Sequence, residues 1–87
     1  MRGNRGEALA PLHSGKVVVG AKQLKKVLNS GRAKAVFLAR NADFTLTEPI
    51  EAICQQQNIH CTWVASMTDL GQACGIEVGA AAAAVVD

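Results

Sequence analysis

Beyond Arg40 the chain has no lysine or arginine, and it has no tyrosine anywhere. Phe37, Phe44 and Trp63 are its only aromatic residues, so alanine, valine, leucine and isoleucine must fill the core. The three cysteines, Cys54, Cys61 and Cys74, form no close pair. That excludes a disulfide framework, fits a reducing compartment, and leaves no C-x-x-C spacing for zinc. His13 and His60 do not repair the ligand set, and no metal or other cofactor is expected. The longest apolar-plus-glycine run, Val78–Val86, is far too short to cross a bilayer. Two N-terminal arginines are followed by no apolar stretch, so nothing reads as a secretory leader. The expectation is a cytoplasmic protein without a membrane partner. No phosphate-binding loop, G-x-S-x-G or H-x-E pattern is present, so neither catalysis nor a small-molecule substrate is expected.

What is present is unevenly distributed. All nine basic residues fall within the first 40 positions, opposed there only by Glu7. The remaining residues carry six acids. The net charge of +2 thus conceals a dipolar molecule with a basic half. Such a surface suits a polyanion, because lysine and arginine near phosphate release condensed counterions. It also suits an ordinary solvated face.

Residues 1–5 read as a mobile basic tail, and 6–87 as one α/β domain. A helix near Gly6–Ala10 would be cut short by Pro11. Lys16–Val19 is a β-branched run and predicts a buried strand. Gly20 permits a tight turn into a helix over Ala21–Ser30, with Ala21, Leu24, Val27 and Leu28 inward and Gly31 as its stop. Ala35–Ala39 is a second strand, followed by a turn at Asn41–Asp43. Thr45-Leu46-Thr47-Glu48 has the capping-box pattern and predicts a helix with Pro49 in its first turn. Ile50, Ile53 and Cys54 would face the core, and Asn58 would take the left-handed cap. Ile59–Val64 is a third strand. Ser66-Met67-Thr68-Asp69 opens a helix that turns Leu70, Ala73 and Cys74 inward and stops at Gly75, and Ala80–Val86 is the last strand. Alternation of strands and helices implies a four-stranded sheet covered on both faces.

Two segments carry functional chemistry. In Gly20-Ala21-Lys22-Gln23-Leu24-Lys25-Lys26, Lys22 and Lys26 stack on one helical face, and Gln23 and Lys25 flank it. The helix N-terminus adds unpaired N–H groups and a positive dipole end. Together these hold phosphate and reach base edges. The alternative is a lysine-bearing solvent face. In the second, Leu70 to Ala81, a helix stops at Gly75 and Ile76-Glu77-Val78 forms a glycine-bracketed loop. Its branched residues serve core packing or, if exposed, cover an unstacked base. Composition does not decide between the two.

In this order and spacing, the two segments resemble the kink-turn-binding ribosomal protein family of L-seven-Ae and L-thirty-e, and its small bacterial members in particular. Those commonly read G-T-K-Q-x-x-K at the first segment and L-G-x-A-C-G-I-E-V-G-A-A-A at the second. The resemblance spans roughly residues 14–86. It implies a three-layer α/β/α sandwich with a mixed sheet. It also implies a ribosomal or regulatory RNA partner, bent sharply at a bulge beside tandem sheared G·A pairs. Gly20, Ala21, Lys22, Gln23 and Lys26 would then contact the G·A pairs and nearby backbone, with Lys25 and Arg40 as secondary contacts. Ile76, Glu77 and Val78 would cover the extruded nucleotide.

The chain departs from the family pattern where lysines are frequent, around Thr68, Asp69 and Gln72. Ala21 replaces a frequent threonine, and Gly3, Gly6 and Pro11 weaken the first helix. Asp69 has a local role as the partner of Ser66. The missing lysines favour a protein-interaction adaptor on the same scaffold as the alternative reading. Lys22 and Lys26 beside Gln23 favour RNA. Cys61-Thr62-Trp63 next to His60 reads as strand packing rather than a catalytic dyad, and Trp63 as core or partly exposed packing outside the site. No oligomeric seam is visible, and a monomer is expected.

Overall fold

The computed structural model describes residues 16–86. The expected tail, the helix near Gly6–Ala10 and His13 lie outside the described residues. The element order is β1 (Lys16–Val19), α1 (Ala21–Asn29), β2 (Ala33–Ala39), α2 (Phe44–Gln57), β3 (His60–Val64), α3 (Met67–Cys74) and β4 (Ala82–Val86). The sheet order is β1-β4-β2-β3. β4 is antiparallel to both β1 and β2, whereas β2 and β3 are parallel.

Alternation along the strands divides the core between the two faces. Val36 and Leu38 of β2 join Ala82 and Ala84 of β4 against Leu24 and Leu28 of α1 and Ile50 and Cys54 of α2. On the other face Phe37, Ala39, Ala83 and Val85 pack with Leu70 and Ala73 of α3. The three-layer α/β/α arrangement is therefore built by period-two patterning in two central strands. The alanines of β4 are fully buried, and their small side chains let helices approach both faces.

All three helices end the same way. Gly31, Asn58 and Gly75 have φ of 73°, 58° and 80°, the left-handed conformation. After α1, Arg32 N–H donates to Val27 O (3.2 Å) and Gly31 N–H to Leu28 O (3.1 Å). The same pair of bonds closes α2 through Ile59 and Asn58, and α3 through Ile76 and Gly75. This is the Schellman arrangement, which satisfies carbonyls a helix would otherwise leave bare.

The start of α2 differs from expectation. Its N-cap is Asp43, not Thr45, and the helix begins at Phe44. The Asp43 carboxylate accepts from Thr45 N–H (2.9 Å) and from Thr45 Oγ1 (2.7 Å). Those bonds hold its carboxyl below the usual range. An earlier acceptor beside the turn wins the cap, so Pro49 falls within the helix rather than in its first turn. Pro49 has no N–H for the Thr45 carbonyl, a loss that costs less at an exposed residue such as Thr45 than in the core. Three strand boundaries also move, β3 beginning at His60 rather than Ile59. β2 begins at Ala33, with a register shift between Ala33 and Ala35, and β4 begins at Ala82 rather than Ala80.

Burial pushes the Cys61 thiol up to about 12 from 9.0, with Cys54 and Glu51 adding to the shift. Burial also raises Cys54 and Cys74. In each case the folded state holds the proton more tightly than the unfolded chain. The stabilisation is complete below about pH 9 and is lost as pH rises towards 12. The predicted outcome is a urea midpoint lower at about pH 10.5 than at about pH 7, with a smaller difference in Cys61→Val. An undiminished alkaline loss in Cys61→Val would remove Cys61 as its source.

Candidate nucleic-acid interface

Because β1, β2 and β3 run one way and β4 runs back, four chain segments meet at one end of the sheet. These are the β1–α1 junction at Gly20, the turn after β2, the β3–α3 junction, and the loop leading into β4. Backbone bonds tie them together. Gly20 N–H donates to Ala82 O (3.0 Å), Ala39 N–H to Ala81 O (3.0 Å) and Arg40 N–H to Val64 O (2.8 Å). The two sequence motifs, far apart in the chain, thus converge on adjacent strands about 5 Å apart.

Gly20 is the N-cap of α1, with φ 107° and ψ 139°. Only glycine takes that backbone conformation without strain. It provides no side-chain cap. Its carbonyl accepts from Leu24 N–H (2.9 Å), and no side chain among the described residues caps the first N–H groups of the helix. Lys22, Gln23, Lys25 and Lys26 are all exposed, and Leu24, Val27 and Leu28 form the buried stripe. The result is a dipole end and a lysine pair on one outward surface. Ala21 is half-buried beneath it.

The basic charge is less concentrated than the sequence suggests. Lys22 and Arg40 lie at or beside the convergent end of the sheet. Lys16, Arg32 and Lys34 are carried by the start of β1, the end of α1 and the start of β2, at the opposite end. The expected basic half is therefore not one patch.

The second motif folds as a Schellman-capped helix followed by a loop docked onto it. Ala80 N–H donates to Met67 O (3.0 Å). A Cβ at Gly71 would overlap the Val78 carbonyl, and one at Gly79 would sit 3.1 Å from Met67 Cβ. Both glycines exist for close approach of loop to helix. Within the loop the two branched residues divide. Ile76 is half-buried against the α3-side core, whereas Val78 is 71% exposed and Glu77 is exposed. The choice between core packing and an exposed cover thus resolves differently for each. Val78 is the apolar residue offered to solvent.

One support was not visible in the sequence. Asn41 Oδ1, in the turn after β2, accepts from Met67 N–H at the start of α3 (2.8 Å). Ser66 Oγ caps the same helix by accepting from Asp69 N–H (3.1 Å), as the capping pattern predicts. Asn41 could have been suspected only as a turn amide, since its partner is 26 residues away. Among the described residues no group of three or more metal-ligating side chains occurs, and no helix is long and apolar enough to cross a membrane.

The fold and the two motifs together define a class. Residues 6–87 match the model of the ribosomal protein L7Ae/L30e/S12e/Gadd45 family, and the chain belongs to it. It is 43% identical over 75 residues to an RNA-binding protein of Geobacillus kaustophilus, covering 86% of this chain and 92% of that one. The RNA-binding protein YbxF of Geobacillus stearothermophilus is equally similar over the same extent. Both are named for RNA binding rather than for a reaction, and the chain groups with binding proteins, not enzymes. A 15.5kD RNA binding protein of Giardia lamblia superposes with a TM-score of 0.81 at 22% identity, covering 91% of this chain and 67% of that one. A Bacillus halodurans protein of unknown function superposes at 0.78 and 20% identity, covering 90% and 78%. These last two likenesses concern the fold.

The docking of the loop onto Gly71 is directly testable. Gly71→Ala is predicted to destabilise the protein by about 1–3 kcal/mol, the cost of overpacking. It should also speed amide hydrogen exchange at Ile76 and Ala80 more than in β2. Exchange at those two amides unchanged from wild type would show that the loop does not depend on Gly71.

Proposed function

We propose that the protein binds RNA and stabilises kink-turns in ribosomal or regulatory RNA, acting as a cytoplasmic monomer without a cofactor. The observation that carries this reading is the convergence of an uncapped, lysine-flanked helix N-terminus with an exposed valine loop at one end of the sheet. The relatives named for RNA binding support it. Residues 6–87 act as one RNA-binding domain in this reading, with residues 1–5 as a basic tail.

The chemistry follows from the two parts. Duplex RNA hides base edges in a deep, narrow major groove, so specific readers use bends and unstacked bases. The free N–H groups after Gly20, with Ala21 beneath them, receive phosphate. Lys22, Gln23 and Lys26 reach the edges of sheared G·A pairs, and Lys25 and Arg40 hold the flanking backbone. Val78 covers the face of the extruded nucleotide, Ile76 anchors the loop to the core, and Glu77 accepts from a base donor. The protein fits only the kinked form, so binding shifts the RNA toward that population. Asp69, where lysines are frequent, lowers the local positive potential and weakens binding, with fewer phosphate contacts and so a shallower salt dependence.

The test uses a duplex with donor and acceptor dyes on its two arms, in buffer without divalent metal. Energy transfer should rise with the G·A-containing RNA and not with a Watson–Crick control. Lys22→Glu combined with Lys26→Glu should weaken binding by about 100-fold or more, since two phosphate or base contacts become repulsive. Its thermal unfolding should stay near wild type because both side chains are exposed. RNA affinity unaffected by the double substitution would refute the assigned surface.

A further inference from the structure

Two of the three aromatic residues of this aromatic-poor chain line one open surface cleft. Its volume is about 200 Å³, and its walls are Arg40, Ala42, Phe44, Thr47 and Trp63. Phe44, the first residue of α2, is 63% exposed. Burying its ring in the core would serve stability better, and the neighbouring turn leaves it in water instead. Trp63 is half-buried on β3, and its indole N–H donates to Glu51 Oε2 (3.3 Å). That bond fixes the orientation of the ring. Arg40 is exposed at the mouth.

The position of this cleft gives it meaning. Strand order places the four features at the sheet end in a row. The α1 N-terminus follows β1, the Val78 loop enters β4, Arg40 follows β2, and Trp63 is the penultimate residue of β3. Successive strands are about 5 Å apart, so the cleft lies one to two strands beyond the loop. It shares Arg40 with the surface proposed above to meet RNA. A cationic side chain beside an exposed ring and a fixed indole is a stacking platform for a base with its phosphate. The cleft is too small for a protein helix and of the scale of one base.

We infer that the Arg40–Phe44–Trp63 cleft is a second nucleotide subsite, which stacks an unpaired base of the bound RNA next to the one covered by Val78. Phe44 and Trp63 hold the base, and Arg40 pairs with its phosphate. The inference rests on the RNA-binding reading above.

Trp63 is the only tryptophan in the chain and reports on its own site. The full chain is titrated with the kink-turn duplex while fluorescence polarisation of the RNA and emission of Trp63 are both followed. Abasic sites are placed at each bulge position in turn. The expected results are quenching of Trp63 on binding and an affinity about tenfold weaker in Phe44→Ala, the usual scale for one lost base stack. One abasic position should cost wild type the same factor and cost Phe44→Ala nothing further. Because Phe44 is exposed, thermal unfolding of the variant should match wild type. Arg40→Gln should lower the salt dependence of binding without abolishing the quenching. RNA binding with unquenched Trp63, and with affinity indifferent to Phe44→Ala, would overturn the subsite and leave the kink-turn reading standing. Absence of any RNA binding by wild type would overturn both.

Discussion

The insertion of β4 between β1 and β2 governs this molecule. Val19 pairs with Ala83, and Leu38 pairs with Ala82, so one strand stitches both halves of the sheet. Without it, β1 with α1 would have no lateral bond to β2 and β3. The strand's composition follows from its place. It is covered on both faces, and alanine at 82, 83 and 84 keeps the layers close while still burying apolar surface. The same insertion carries the loop after α3 to the edge where α1 begins. The candidate interface is thus a by-product of strand order, not of sequence proximity.

Backbone conformation does the positioning. Gly20 gives α1 a start without a side-chain cap, and Gly31, Asn58 and Gly75 end the helices by one shared geometry. Gly71 and Gly79 then let the last loop lie flush on α3. Polar side chains act at few points. Asn41 and Ser66 hold the start of α3, Asp43 holds that of α2, and Gln57 Nε2 bonds Leu28 O to join α2 to α1 (2.9 Å). These cross-links rigidify the scaffold beneath the candidate interface.

Much of this was legible from the residues. β1 was found by its valine run, and the helix stops by Gly31, Asn58 and Gly75, because those signals are local. The second motif was specific enough to suggest the family, and so the layer arrangement. Errors arose where two local signals competed. Asp43 outranked Thr45 as a cap, because a carboxylate accepting two bonds beats a hydroxyl two residues later. Ile76 and Val78 look alike in sequence, yet only the packing of the loop on Gly71 separates anchor from exposed tip. The charge asymmetry was real in sequence but was dispersed by topology, since the α1–β2 junction carries Arg32 and Lys34 away from α1's start. Phe44 and Trp63 are 19 positions apart, and no periodicity connects them.

The pairing of Val19 with Ala83 spans most of the chain. Such a contact closes a long loop before it returns any stabilisation, which slows the step that forms it. The two-sided core and the convergent surface both depend on that one long-range pairing. A nascent chain that has exposed α1 and its lysines, but not yet residues 82–86, has the charges and lacks the shape. On the proposed RNA-binding reading, the charge that attracts a polyanion is made before the shape that would discriminate among polyanions.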